Sequence, residues 1–345
     1  MQGPGGGSER SGSGTANFPE RERATRLLST ASGYRPSDAS GDCCTAQAGA
    51  GSVKSRNGHR SCYFPGIEQR QAMVLKLQYK GGAEVPLEVE GICPDTLRGE
   101  TISVIEKREV FHGNVRVPLA EFFAVSGDAS DACHQWDGDL AGVHWIGAGM
   151  TEGTICISAD GGRHVGSEMS GGQITVEGNA GDWVGAEMKG GLIEVRGRAG
   201  HLVGSAYRGS AKGMTGGTIL VHGDAGNEIG HSMRRGLLVV GGGTGDLVGF
   251  NMIAGTILIW GESGIRHGAG MRRGTIAFMG DHHPQPLISF KQGCRFRSEA
   301  MSLLLKYLER LGFPVPAETW DADFDLLHGD MIEGGRGEML LKVIE

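Results

Sequence analysis

Proline supplies only 11 of the 345 residues, aromatic residues 6% and charged residues 21%. A collagen helix needs abundant proline and glycine at every third position, and the chain has neither. No run of 18 or more apolar residues occurs, which excludes a membrane-spanning helix, and the N-terminus lacks the short apolar segment of a secretory signal. Basic charge is not in excess: 33 basic against 40 acidic residues leave a formal charge of −7. Phosphate backbones and anionic lipid therefore find no general attraction. Neither nucleic acid nor a membrane is an expected partner, and a cytoplasmic location is expected. The seven cysteines, Cys43, Cys44, Cys62, Cys93, Cys133, Cys156 and Cys294, are odd in number and never spaced C-x-x-C. They read as scattered reduced thiols, not as a disulfide framework or a zinc or iron–sulfur site.

Glycine is what the chain has in excess, 62 residues where an average soluble protein of this length has about 7%. A 19-residue unit opens at Gly153 and recurs at Gly172, Gly191, Gly217, Gly236, Gly255 and Gly274, interrupted only by a seven-residue insertion near Arg208 to Met214. Inside it glycine returns as G-x-x-G-x-x-x-G, at Gly178, Gly181 and Gly185, at Gly197, Gly200 and Gly204, at Gly223, Gly226 and Gly230, at Gly242, Gly245 and Gly249, and at Gly261, Gly264 and Gly268. The second residue after each opening glycine is aliphatic: Ile155, Ile174, Ile193, Ile219, Leu238, Ile257 and Ile276. The fourth is apolar too, from Ile157 to Phe278. A third inward position runs from Ile146 to Val248, with His267 as its exception. Met150, Met169, Met188, Met233, Met252 and Met271 close the units; in the interrupted one Tyr207 takes that place before Met214.

Alternation of this kind is one short strand per unit with one face inward. A 19-residue unit cannot bury that face alone, whereas stacking like units lays like side chains over one another. The expected fold is all-β, a parallel solenoid of about seven coils with glycines at its corners. An outward residue such as Glu194 is expected to tolerate change.

Outside the repeats, residues 1–72 carry nine basic and six acidic residues without apolar periodicity. They read as a disordered tail, or as a mis-assigned start with Met73 as the first residue. Residues 73–133 form a β-rich N-terminal cap with strands near Val74–Leu77, Thr101–Ile105 and Asn114–Val117, and 134–280 the β-helix. Residues 281–345 form a C-terminal cap. Ser298 caps a helix near 298–311, Gly312 and Pro314 stop it, and it is expected to cover the open end of the stack. Gly335–Glu338 reads as a turn before a last strand.

Few residues suggest chemistry. No G-x-x-x-x-G-K-[ST] loop exists. His164, His201, His222, His231 and His267 occupy five different places in the unit, so stacking does not gather them around a metal. His282 and His283 read as a solvated or capping pair. Asp182 and Asp246 share one place, as groove carboxylates of solenoid glycosidases would, but His201 and Asn227 stand between them, which favours turn chemistry. Arg234-Arg235 and Arg272-Arg273 are repeated basic pairs that suit a solvated face, an acidic partner or a polyanionic cofactor tail. No catalytic or metal-binding residue is assigned.

The G-x-x-G-x-x-x-G coils are similar to the C-terminal β-helix of glutamate synthase large subunits. Residues 73–345 more closely resemble the C subunits of formylmethanofuran dehydrogenase and of the bacterial formyltransferase/hydrolase complex. The narrower resemblance rests on the strand-rich opening, the Met150-type unit ends, the run from Gly268 to Ile276 and the closing Gly335-Arg336-Gly337-Glu338. It implies a right-handed parallel β-helix that is not catalytic by itself and holds the other subunits of a one-carbon complex together. Methanofuran or its analogue would be handled by those partners. A molybdenum or tungsten pterin would sit on a sister subunit in the dehydrogenase, whereas the bacterial complex would take formyl groups from tetrahydromethanopterin to formate. The bacterial version is the leading expectation. The dehydrogenase, a glutamate-synthase-type domain and a carbohydrate-active β-helix are the alternatives; a left-handed acyltransferase helix would need an 18-residue period.

Overall fold

Each repeat contributes one short strand in the computed structural model, which describes residues 74–344. In chain order the strands are β1 (Leu75–Tyr79), β2 (Leu87–Glu88), β3 (Glu109–His112), β4 (Val115–Pro118), β5 (Phe123–Ser126), β6 (Cys133–Asp137), β7 (Val143–His144), β8 (Thr154–Ile157), β9 (Gln173–Val176), β10 (Leu192–Val195), β11 (Thr218–Val221), β12 (Leu237–Val240), β13 (Thr256–Ile259), β14 (Arg273–Phe278), β15 (Lys291–Arg297), β16 (Asp323–Gly329) and β17 (Arg336–Lys342). The helices are α1 (Pro94–Leu97), α2 (Ile102–Ile105), α3 (Leu119–Phe122) and α4 (Glu299–Arg310). The expected tail and alternative start lie outside the described residues.

The protein is mostly β. Thirteen strands form one mixed sheet in the order β15-β16-β17-β14-β13-β12-β11-β10-β9-β8-β6-β1-β5, and β4-β3-β2-β7 form a second. From β8 to β14 neighbours are parallel and shifted by one whole repeat, so that Ile155, Ile174, Ile193, Ile219, Leu238, Ile257 and Ile276 pair in succession. Isolated parallel bridges link Leu140, Gly161, Ala180 and Ala199, and again Ala225, Thr244 and Ser263. The inward aliphatic residues and the unit-closing methionines are wholly buried in one continuous core. Met214 takes the methionine slot of the interrupted unit.

The parallel run is longer than the glycine period. β6 pairs with β8, setting His134 on Ile155 and Trp136 on Ile157, and β1 pairs with β6. At the other end β17 joins β14, with Met339 on Ile276. Ten strands are thus parallel, three more than the repeats.

Three expectations need correction. Thr101–Ile105 is not a strand: Thr101 O accepts from the backbone of Val104 and Ile105, closing the turn of α2, which buries only Ile105. Gly335–Glu338 is mostly strand, because β17 already begins at Arg336.

The third concerns α4. Ser298 does cap it, its Oγ accepting from Met301 N–H at 3.2 Å, but the helix does not close the end of the stack. Its buried Met301, Leu305 and Leu308 lie in one apolar cluster with Leu220, Val239, Leu258 and Ala277, the outward residues of β11 to β14. Those four are fully buried, and each large aliphatic among them adds roughly 1.5–3 kcal/mol to the outer interface. The C-terminal end of the inner core is met instead by Phe290, Leu287, Leu327 and Met339, while β15 and β16 extend the sheet beyond β17.

Candidate functional site

Two of the glycine positions in G-x-x-G-x-x-x-G answer to the same device. At the tenth place after Gly172, Gly191, Gly217 and Gly236 the side chain accepts the backbone N–H of the equivalent residue one repeat later. Asp182 Oδ1 accepts from His201 at 2.8 Å, His201 Nδ1 from Asn227 at 2.9 Å, Asn227 Oδ1 from Asp246 at 2.9 Å, and Asp246 Oδ1 from Ile265 at 3.0 Å. At the seventh place Asp160, Asn179 and Asp224 do the same toward Asn179, Arg198 and Gly243. A Cβ on Gly264 would overlap Asp246 Oδ1, and one on Gly242 would overlap Asp224 Oδ1. Asp182 and Asp246 are thus engaged in joining one repeat to the next, as turn chemistry expects.

The final glycine of the motif has another reason, since Gly185 takes φ 59° and a Cβ there would meet Ile219 Cδ1 at 2.5 Å. Two places earlier the backbone is left-handed without glycine, at Trp145 (φ 67°), His164 (61°), Trp183 (66°), Leu202 (62°), Glu228 (56°), Leu247 (61°) and Arg266 (64°). Such residues rarely adopt this conformation, and its recurrence gives a second fixed corner.

That corner presents an aromatic column which sequence reasoning missed. Trp145 and His164 stack at 4.1 Å with 5° between planes, and Trp183 follows at 6.0 Å. Tyr207, at the edge of the insertion, lies 5.1 Å from Trp183, and its hydroxyl hydrogen-bonds His164 Nδ1 at 3.1 Å. Burial pushes the His164 pKa down to about 4 and that of Tyr207 up to about 12. Both are uncharged around neutrality and far from the range useful for proton transfer. The signal was present as three aromatics at one place in successive units.

The arginine pairs converge further than their sequence spacing suggests. Arg234-Arg235 and Arg272-Arg273 stand two repeats apart, with Ile253-Ala254 between. The return of β17 sets Arg336 opposite Arg273. These five arginines line an open groove of about 470 Å³. It adjoins a second of about 390 Å³ that reaches His231, Asn251 and the insertion at Ser210. Glu333 is the single carboxylate in either wall and pairs with Arg272 at 3.1 Å. Arg234 Nε is buried without a hydrogen-bond partner among the described residues.

The remaining histidines and cysteines do not assemble. His267 is a satisfied core residue: Nδ1 accepts from Val248 N–H at 3.3 Å and Nε2 donates to Gly264 O at 2.8 Å. His282 lies exposed 3.6 Å from Glu262, and His283 is half-buried. Cys93, Cys133 and Cys294 are free thiols, whereas Cys156 is disulfide-bonded, which corrects the expectation for that residue. Burial pushes the Cys93 thiol up to about 12, so it stays protonated and is a poor metal ligand. Among the described residues no three His, Cys, Asp or Glu side chains are placed to hold a metal ion, and no helix is long and apolar enough to cross a membrane.

No protein-family model matches the chain. It is similar to the C subunit of molybdenum-containing formylmethanofuran dehydrogenase 1 from Methanothermobacter marburgensis, 39% identical over 84 residues that make up 24% of this chain and 21% of that protein. The C subunit of tungsten-containing formylmethanofuran dehydrogenase 2 from Methanothermobacter wolfeii is 45% identical over 78 residues, 21% of this chain and 29% of that one. The molybdenum-containing counterpart from Methanosarcina barkeri is 35% identical over 106 residues, 30% and 35% of the two chains. The matched segments thus span between a fifth and about a third of these curated relatives. A chain in the crystal structure of the formyltransferase/hydrolase complex from Methylorubrum extorquens with methylofuran is matched over 100% of its length and 78% of this one, at 28% identity and TM-score 0.72.

Proposed function

We propose that the chain belongs with the C subunits of formylmethanofuran dehydrogenase and of the formyltransferase/hydrolase complex, and that it is a non-catalytic member of a one-carbon complex that moves formyl groups to formate. The observation that carries this reading is the match to a whole chain of the formyltransferase/hydrolase complex. The arrangement of side chains agrees with it. The aspartates of the repeats are engaged by backbone N–H groups, and the His164–Tyr207 pair is uncharged around neutrality. We further propose that the repeats wind as a right-handed parallel β-helix of about seven coils in the cytoplasm, with caps at 73–133 and 281–345. The corner glycines and the aliphatic and methionine ladders are then its framework. In-register pairing from β8 to β14 and the two series of bridges support the winding.

Methanofuran or its analogue would be bound by partner subunits. A molybdenum or tungsten pterin does not fit the described residues of this chain, whose thiols are buried or solitary. Co-expression with the neighbouring large subunits tests the proposal. A stable complex that converts formyl-tetrahydromethanopterin to formate is expected, with no turnover by this chain alone. Turnover by the isolated chain at the rate of the complex would overturn it. The second reading, the same scaffold role in a metal-containing dehydrogenase, is favoured by the 39–45% local identity to those enzymes; stoichiometric molybdenum or tungsten in the purified complex would select it.

A further inference from the structure

We propose that the arginine groove is the docking site for a short, extended, acidic segment of a partner subunit, an inference that rests on the scaffold reading above. Residues 73–345 hold 24 basic against 34 acidic residues, so five arginines around one carboxylate run against the charge of the surrounding protein. Arg273 and Arg336 face each other in register on adjacent strands, where like charges destabilise a sheet. Only Arg272 has an ion pair; Arg234, Arg235, Arg273 and Arg336 have none among the described residues. Arg234, whose buried Nε has no acceptor among the described residues, lines the groove as well, and a carboxylate there would pair with its guanidinium from the open side. An arrangement that weakens the free protein and leaves donors unused is accounted for by an anionic occupant.

The geometry restricts the occupant. Arg235, Arg273 and Arg336 stand on rungs separated by two strand spacings and then one, so at about 4.8 Å per rung the row is about 14 Å long. That is about four residues of extended peptide, and guanidinium groups take carboxylates in paired hydrogen bonds. Ala254 keeps the floor low between the two pairs. Exposed Met331 and Ile332 immediately precede Glu333 of the groove wall and offer apolar contact to a peptide. The chain's own first 72 residues carry nine basic and six acidic residues and lack the charge to compete. A long polyanion such as nucleic acid would run off the 14 Å row (about three rungs,) onto a predominantly acidic protein.

The test uses the full chain and a fluorescein-labelled hexaglutamate peptide, read by anisotropy. Binding that weakens at high salt and falls at least about tenfold in the double variant Arg235→Glu/Arg273→Glu is expected, with a hexalysine control that does not bind. The Arg235→Gln/Arg273→Gln variant should fall less, and thermal unfolding of both should match the wild type. The same variants are co-expressed with the partner subunits, where the charge reversal should reduce recovery of the complex. If wild type assembles but binds hexaglutamate no better than hexalysine, and the reversed variant assembles equally well, the docking inference is overturned and the scaffold reading stands. If the peptide binds as expected and no partner subunit is recovered with wild type, the scaffold reading fails and the acidic-ligand groove stands. Equal affinity for a single-stranded DNA oligonucleotide would overturn the assignment to a peptide.

Discussion

The repeats opened by Gly153, Gly172 and Gly191 and those opened by Gly217 to Gly274 share an inner face and differ on the outer one. Inside, Ile, Leu and Val pair in one register from β8 to β14. Outside, the residue between the two inward ones is Cys156, Thr175 and Glu194 in the first group. It is Leu220, Val239, Leu258 and Ala277 in the second, and only the second belongs to the apolar cluster under α4. The period therefore governs the inner core, and the chemistry of one outward column decides which part of the sheet acquires a second layer.

The largest effect should come from placing a charge in each outer face in turn. Val239→Asp buries a carboxylate beneath α4 and should cost about 4 kcal/mol or more. Thr175→Asp, at the same place two repeats before the change of face, should cost no more than about half of that: it would stand opposite Glu194, but the Arg196 guanidinium paired with Glu194 supplies positive charge on that outer face. Urea unfolding measures both. Equal costs would remove the distinction between the two halves. Hydrogen exchange sharpens it further, since Val239→Asp should loosen α4 and β11–β14 before β8–β10.

A second contrast lies inside the stack. His134 and His267 both face the core at its two ends, each almost wholly buried. His267 has partners for both ring nitrogens, whereas His134 has none among the described residues. Burial pushes the His134 pKa down to about 4, against a nearby Asp95 that raises it. The unfolded chain, with a histidine near 6.5, therefore binds more protons than the folded one, and stability rises with pH. His134 weakens the fold progressively as pH falls from about 6.5 to 4, by on the order of 3 kcal/mol at the lower end. His134→Ile should remove most of that loss, measured as the change in unfolding free energy between pH 7 and pH 4 (about the window set by the shift,). An unchanged pH dependence in the variant would assign the acid sensitivity to other groups.

These contrasts mark how far the sequence was legible. Seven strands of the stack could be read because aliphatic residues recur at one spacing, and β1, β4 and β17 were expected outside them; β6 could not, because His134 and Trp136 fill the ladder where isoleucine was the marker, and with it the joining of β1 to the parallel run went unread. The outer column was readable but unread: its change from Glu194 to Leu220 predicts the seat of α4, whose own apolar face was recognised. The arginine pairs were visible, while the groove depended on Arg336, brought 63 positions later by the return of β17 beside β14. The aromatic column needed Tyr207, which left its methionine slot for the insertion.

The smallest expected effect tests the seam itself. Glu194 is the last polar residue of the outer column and was expected to tolerate change, yet it is 8% exposed, with its Oε1 2.8 Å from His222 Nε2 and 3.6 Å from Arg196. His222 in turn lies against Phe313, 5.1 Å between rings, at the margin of the apolar layer. Glu194→Gln keeps an acceptor for the imidazole N–H but removes the charge shared with Arg196, so a loss of about 1 kcal/mol is expected. Glu194→Leu extends the apolar column by one repeat and deprives His222 of its partner, which should cost about 2 kcal/mol. Coupling with His222→Leu decides what holds the seam. If the double variant regains most of the loss, the boundary is set by one hydrogen-bonded pair; if the two losses simply add, it is set by how far α4 and Phe313 reach across the sheet.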